Sequence, residues 1–300
     1  MTLYSLFVIF FLNILLCSVK TDGNTCGENR VMAMAKIYRE IQCTPIFDAK
    51  KQCPRAYDCQ IFRTINANPN KCYWNNTEYE VGSQLPNELT EMDCFASCYC
   101  SSSKDLRRTE LNIVQAGFRC ANIECPSDLG YNNSPPEAGC HYEHNLRNCC
   151  PSGIICPHKD RIIRQSCMVD GQIILHGMRI EPSNSECSSC VCNDGKVECR
   201  EVNCGVQLLH LNDLVDGVGV LFYGEGKCCP IGYVWPTGNE VIRPRALISR
   251  SNNDQTFQCK FGNLTVGIGD EVITSETNEN TKCACLVPPL ITCIQQPHSD

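Results

Sequence analysis

Apolar positions along this chain form one sustained run and afterwards only short bursts. The run, Leu6 to Leu16 in "MTLYSLFVIFFLNILLCSVKTDG", precedes small and polar residues and reads as a secretory signal peptide over residues 1–20, cleaved between Ser18 and Gly23. It falls short of the roughly 20 apolar residues of a membrane span, which makes an uncleaved anchor the lesser alternative, and no later segment is long or apolar enough to cross. Near the start, "ENRVMAMAKIYREI" leaves a helix open, because period and propensity do not decide it. Further on, "SCVC" and "KVEC" flank Asn193, Asp194 and Gly195, a turn signal that predicts a short hairpin. The burst "QIILHGMRI" gathers Ile173, Ile174, Leu175 and Met178, more apolar surface than a small domain readily buries.

Composition changes this picture. The chain holds 27 cysteines but two tryptophans and 7% aromatics, so disulfides or metals must supply much of the order. Signal removal takes Cys17 away and leaves 26, an even number bound for an oxidising compartment. The formal charge of −7 comes from interspersed acids and bases and argues against a nucleic-acid partner. Asn75, Asn132 and Asn263 open N-x-Ser/Thr sequons, expected on exposed loops as glycosylation sites.

The sequence repeats itself with a period of roughly 90 residues. Cys72, Cys167 and Cys259 each begin a unit and are followed by Gly82, Gly177 and Gly269 at one common offset. The complete unit, residues 72–156, carries Cys72, Cys94, Cys98, Cys100, Cys120, Cys125, Cys140, Cys149, Cys150 and Cys156. The next, residues 167–235, carries Cys167, Cys187, Cys190, Cys192, Cys199, Cys204, Cys228 and Cys229; Gly219 and Trp235 stand where Cys140 and Cys156 would repeat. A leading back half, residues 24–60, has Cys26, Cys43, Cys53 and Cys59, with Gln52 in place of the first of the adjacent pair. A front-half tail, residues 259–293, has Cys259, Cys283, Cys285 and Cys293.

These losses constrain connectivity. Two sulfurs that vanish together are disulfide partners, since a lone survivor would be a free thiol, which pairs Cys140 with Cys156. The leading fragment keeps that pair, so its other two sulfurs must join, implying Cys125 with Cys150. The tail closes its four among themselves, and subtraction leaves Cys94 with Cys149. Linkers are expected at 61–71, 157–166 and 236–258, and stability should depend on the bridges, each worth roughly 2–4 kcal/mol.

The run C-x₂-C-x-C with a turn and a further Cys, in "CSSCVCNDGKVEC", and the later adjacent pair before Pro, in "CCPSGIIC", resemble the von Willebrand factor type C domain, the chordin-like cysteine-rich repeat. The resemblance implies a small disulfide-rich, mostly β and irregular fold: tandem modules, each with a front subdomain of short antiparallel strands and an irregular back subdomain, and half-modules at both ends. It also implies Cys72 with Cys100 and Cys98 with Cys120. The chain departs from the family by three residues between Cys94 and Cys98, by the insert "SSSKDLRRTELNIVQAGFR", and by the terminal half-modules.

Other chemistry is weaker. Cys187 and Cys190 have zinc-knuckle spacing, with His141 and His144 near Cys149 and Cys150, but the secretory start and the even tally favour disulfides over a metal. A redox role would need a thioredoxin-like strand and helix around Cys187 and Cys190, and no motif sets Ser, His and Asp for catalysis. The expectation is a secreted, extracellular binding protein and no enzyme, with no cofactor. Domains resembling these often bind growth factors of the bone morphogenetic protein and TGF-β superfamily. The candidate contacts are Ile173, Ile174, Leu175 and Met178, with Tyr73, Trp74 and Tyr79 as a second surface; the alternative for the first set is a modest front core or packing on a neighbouring domain. The rival function is a structural matrix or oligomerisation component, since similar domains sit in collagen precursors, mucins and matrix proteins; half-modules at both ends would suit head-to-tail association, one chain's tail docking on the next chain's start.

Overall fold

The computed structural model describes residues 29–47, 53–90, 93–102, 116–125, 137–160, 164–180, 187–209, 211–224, 227–245, 257–274 and 281–296. Residues 1–20, expected to form a signal peptide, Cys26 and Asn132 lie outside them.

The leading segment contains helix α1 (Asn29–Glu40), strands β1 (Thr44–Phe47) and β2 (Pro54–Asp58), and helix α2 (Gln60–Ala67). The complete unit follows with β3 (Cys72–Trp74), β4 (Thr77–Tyr79), the single turn α3 (Asn87–Thr90), β5 (Phe95–Ser101), β6 (Gly117–Asn122), β7 (His141–Glu143), β8 (Gly153–Ile155) and the short α4 (Pro157–Asp160). The next unit has β9 (Cys167–Val169), β10 (Gln172–Ile174), β11 (Arg179–Ile180), β12 (Ser188–Asn193), β13 (Lys196–Glu201) and α5 (Val206–Leu209). It ends in a 3-10 helix (Leu211–Gly217), β14 (Val220–Tyr223) and β15 (Gly232–Val234). Strand β16 (Val241–Arg243) leads to the tail, β17 (Gln258–Phe261), β18 (Leu264–Gly267), β19 (Glu271–Ile273), β20 (Thr281–Val287) and β21 (Leu290–Gln295). The protein is thus mostly β, with small helices and many disulfides.

The sequence period is a geometric repeat. Cys72, Cys167 and Cys259 each open a hairpin and face Tyr79, Ile174 and Val266 in the same register. Gly82, Gly177 and Gly269 have φ of 93°, 81° and 86°, the left-handed region that disfavours a Cβ. Their N–H groups donate to the carbonyls of Cys100, Cys192 and Cys285 at 2.8, 2.8 and 2.7 Å. Those cysteines are the ones bonded to the unit-opening sulfurs, each pair with Cα atoms 5.7 Å apart. The back halves repeat as well: Thr44 faces Asp58, His141 faces Ile155 and Val220 faces Val234.

The neighbouring sulfurs Cys149 and Cys150 go separate ways, to Cys94 and Cys125. Cys140 bonds Cys156, and Cys43 bonds Cys59. Cys98 bonds Cys120, as Cys190 bonds Cys199 and Cys283 bonds Cys293. Cys187 bonds Cys228 and Cys204 bonds Cys229, repeating the front-to-back and back-half bridges. Cys53 is disulfide-bonded too. Where the second unit lacks a bridge, the Trp235 indole lies on Gly219 so closely that a Cβ there would stand 2.8 Å from Cζ3. Indole packing on bare backbone fills the place of the missing bond.

Two expectations are corrected. Residues 61–71 are not a linker: most of α2 lies there, and Ile65 is buried with Ile61 and Phe62 packed against the largest core cluster. Nor is 236–258 only a connection, since β16 pairs antiparallel with β19 and so joins the sheet of eight strands, β15-β14-β21-β20-β19-β16 with β17 and β18. The end segments are also not isolated. Strand β14 runs parallel to β21, with Phe222 facing Cys293. Met34, Ile37, Tyr38 and Ile41 of α1 share one core with Leu214 and Leu221 and with Val287 and Leu290 of the tail. The Tyr38 hydroxyl donates to the Val287 carbonyl at 2.6 Å and accepts from the Leu290 N–H at 2.9 Å; Tyr57 stacks on its ring, centroids 4.0 Å apart. Start and end of the described chain therefore close on each other.

Candidate functional site

The most exposed apolar pair lies on the β9–β10 hairpin. Asp170 and Gly171, with φ of 49° and 79°, supply the left-handed pair a tight two-residue turn requires. That turn sets Met168 directly opposite Ile173, and the pair stays 66% and 68% exposed. Leu175 is exposed beside them, Met178 is half-buried, and Ile174 turns inward onto the small cluster of Cys167, Ile180, Cys190 and Cys192. Alternation along β10 thus divides "QIILHGMRI": Ile173 and Leu175 face outward, and Ile174 is partly buried against the small cluster.

The hairpin is seated on the preceding unit by a polar joint. His144 N–H donates to the Gly177 carbonyl at 2.8 Å, and His141 Nε2 lies 2.7 Å from the His176 carbonyl. His176 Nδ1 accepts from the Asp194 N–H at 2.9 Å, which puts the ring proton on Nε2, 3.6 Å from Glu143 Oε1. A Cβ on Gly177 would meet Glu143 and Ile155 at 3.1 Å, so the joint closes only over a glycine. The histidines considered as metal ligands serve this seam.

Tyr73 is a correction. It is 2% exposed and its hydroxyl donates to the Asn68 carbonyl at 2.9 Å, so it is a core residue and offers no ligand contact. It occupies the position of Met168 in the repeat; helix α2 and the 3-10 helix cover the first unit's hairpin, and Met168 has no such cover among the described residues. Trp74 is half-buried, and Asn75 and Asn263 are exposed on hairpin turns.

A concave surface with no local signal in the sequence lies elsewhere on the molecule. It is an open groove of about 510 Å³ between α1, the β3–β4 turn and residues 201–208, lined by Lys36, Arg39, Trp74, Asn75, Glu201 and Gln207 among others. Glu201 Oε1 meets Arg39 at 2.8 Å and Lys36 at 3.3 Å; the Arg39 hydrogen bond holds its carboxyl below the usual range. Glu40 accepts from the N–H groups of Cys204 and Val206 at 2.9 and 2.6 Å, tying α1 to the start of α5. Burial raises the Glu40 carboxyl despite these bonds, and burial likewise raises Asp93, which accepts from Asn203 at 2.7 Å. The partners of Glu40 lie more than 160 residues away, beyond any local signal.

The compact sulfur clusters Cys125–Cys149–Cys150 and Cys204–Cys228–Cys229 have their cysteines in disulfides, which removes the thiolates a metal would need. No described helix is long and apolar enough to cross a membrane. No family model matches the chain, and no solved structure matches it.

Proposed function

We propose that the protein is a secreted extracellular binding protein made of von Willebrand factor type C-like modules, acting on a growth factor of the bone morphogenetic protein and TGF-β type. It works by surface contact, without catalysis or cofactor. The observation that carries this reading is the opposed pair Met168 and Ile173, both about two-thirds exposed on a hairpin pinned by Cys167–Cys192. A covalently fixed hairpin presents apolar groups with little ordering cost on binding, so their burial counts toward affinity. Tyr73, the counterpart of Met168 in the first unit, is buried by the chain itself, which supports reading the Met168 position as one that takes apolar cover; Glu78, the counterpart of Ile173, is exposed. The head-to-tail form of the matrix alternative needs terminal halves free to dock on neighbouring chains, and those halves already share one core within the chain.

The test is binding of the secreted protein, wild type and Ile173→Asp, to a panel of purified growth factors of this superfamily. Wild-type binding with at least a tenfold loss in Ile173→Asp, about 1.4 kcal/mol, supports the proposal. No binding to any panel member defeats the growth-factor assignment, and equal binding by the variant defeats the assignment of this face.

A further inference from the structure

The groove beside α1 has a volume within the roughly 300–1,000 Å³ of small-ligand sites, yet its lining is not that of an apolar pocket. One indole, Trp74, stands among the amides of Gln42, Asn75 and Gln207, while the positive Lys36 and Arg39 are matched by the negative Glu40 and Glu201. An aromatic face among amides and carboxylates, without net charge, suits a neutral polyhydroxylated ring. Its hydroxyls both donate and accept, as amide side chains do, and its C–H face carries the partial positive charge that the face of an indole attracts.

Asn75 lies on the wall of this groove and opens the sequon Asn75-Asn76-Thr77. Its Oδ1 accepts from Gln42 Nε2 at 2.6 Å and its backbone N–H donates to Gln207 Oε1 at 2.7 Å, so the two glutamines of the groove hold the attachment residue in place. No acceptor for Asn75 Nδ2 is present among the described residues. We propose that the groove seats the protein's own N-linked glycan, with the first N-acetylglucosamine on Asn75 packing against Trp74.

Attachment forms the Nδ2–C1 bond. It breaks one Nδ2–H bond and the C1–O bond to a lipid-diphosphate-linked oligosaccharide, and the proton leaves with the lipid diphosphate. The Asn75 carbonyl remains an acceptor throughout, so its bond from Gln42 survives. The sugar would cover the seam where α1 meets the β3–β4 turn and residues 201–208. This inference rests on passage through the secretory pathway and is independent of the growth-factor assignment.

Asn263 is an internal control. It is exposed on the corresponding hairpin turn of the tail, outside the groove. The protein is expressed in animal cells, recovered from the medium and digested without denaturation by a peptide amidase that removes whole N-glycans and converts the asparagine to aspartate. Peptide mapping then follows each site. Release at Asn75 is expected to be roughly tenfold or more slower than at Asn263, as for a bond reached only through local opening. Trp74→Ala should bring Asn75 to the rate of Asn263. Should that variant fail to fold, trimming the wild type to a single N-acetylglucosamine provides the second readout. Tryptophan emission should then match the untrimmed protein and shift on complete removal. Equal native release at the two sites, or an unoccupied Asn75 in protein that carries a glycan at Asn263, overturns the proposal. Absence of glycan everywhere overturns it through the secretory premise and leaves growth-factor binding to its own test.

Discussion

At the scale of single residues, two carboxylates of the same groove should respond oppositely to pH. Burial raises the Glu40 carboxyl, so the folded chain holds its proton more tightly than the unfolded chain. Its contribution is fully present below the unfolded value and is lost as pH rises through the raised folded value. Glu201 is lowered by Arg39, and its contribution is present above the unfolded value and lost as pH falls through the folded one. Denaturant titrations across mildly acidic to neutral pH should therefore show the cost of Glu40→Gln shrinking as pH rises and that of Glu201→Gln shrinking as pH falls. Parallel pH profiles for both variants would contradict the assignment. Glycine at the repeated position offers a second residue-scale test. A Cβ on Gly82 meets nothing within 4 Å, whereas one on Gly177 meets Glu143 and Ile155 at 3.1 Å. Gly82→Ala should cost the left-handed strain alone, about 1–2 kcal/mol. Gly177→Ala should cost roughly 1–3 kcal/mol more in the same measurement, because the joint to the preceding unit must open.

At the scale of elements, the lost disulfide of the second unit should be recoverable. Its back half keeps the register of the two intact copies, whose bonded Cα atoms stand 4.2 and 4.4 Å apart. Combined Gly219→Cys and Trp235→Cys substitutions should oxidise to a bond seen in non-reducing peptide maps, whereas Gly219→Ala alone should destabilise by driving a Cβ against the indole. Free thiols in the double variant would refute the shared register. These elements were legible in sequence for a physical reason: a disulfide leaves no tolerable half, so losses come in pairs, and Asp194-Gly195 announces its own turn. Helix α2 carries no such local signal, because Ile61, Phe62 and Ile65 point at a core assembled from distant segments. Tyr73 carries none for a related reason. Its burial is set by what packs over the hairpin, and nothing near it in sequence distinguishes it from the exposed Met168 at the same position of the next unit.

At the scale of the molecule, the closure of start on end was not legible at all, because its contacts join residues about 250 apart. All four tail sulfurs are consumed within the tail, as Cys259–Cys285 and Cys283–Cys293, and Cys43–Cys59 closes within the leading segment, so among the described residues no disulfide ties the two together. Their attachment rests on the shared apolar core and on Tyr38, whose hydroxyl satisfies both the Val287 carbonyl and the Leu290 N–H in a buried place. Removing the hydroxyl leaves both groups without it, a cost of about 1–3 kcal/mol in global stability for Tyr38→Phe. Tyr38→Ala adds the loss of the ring that Tyr57 stacks on, and should loosen the two ends together. Hydrogen exchange reads this directly: amides of β1, β2, β20 and β21 should exchange faster in Tyr38→Ala. Those of β5 and β6, held by Cys98–Cys120 and packed around Phe95 and Phe118, should keep their protection. Faster exchange confined to β1 and β2 would mean that the tail stands without the leading segment. Unchanged exchange in both would mean that each end segment is held by its own disulfides and strand pairing, and that the Tyr38 ring contributes nothing to joining the two described ends.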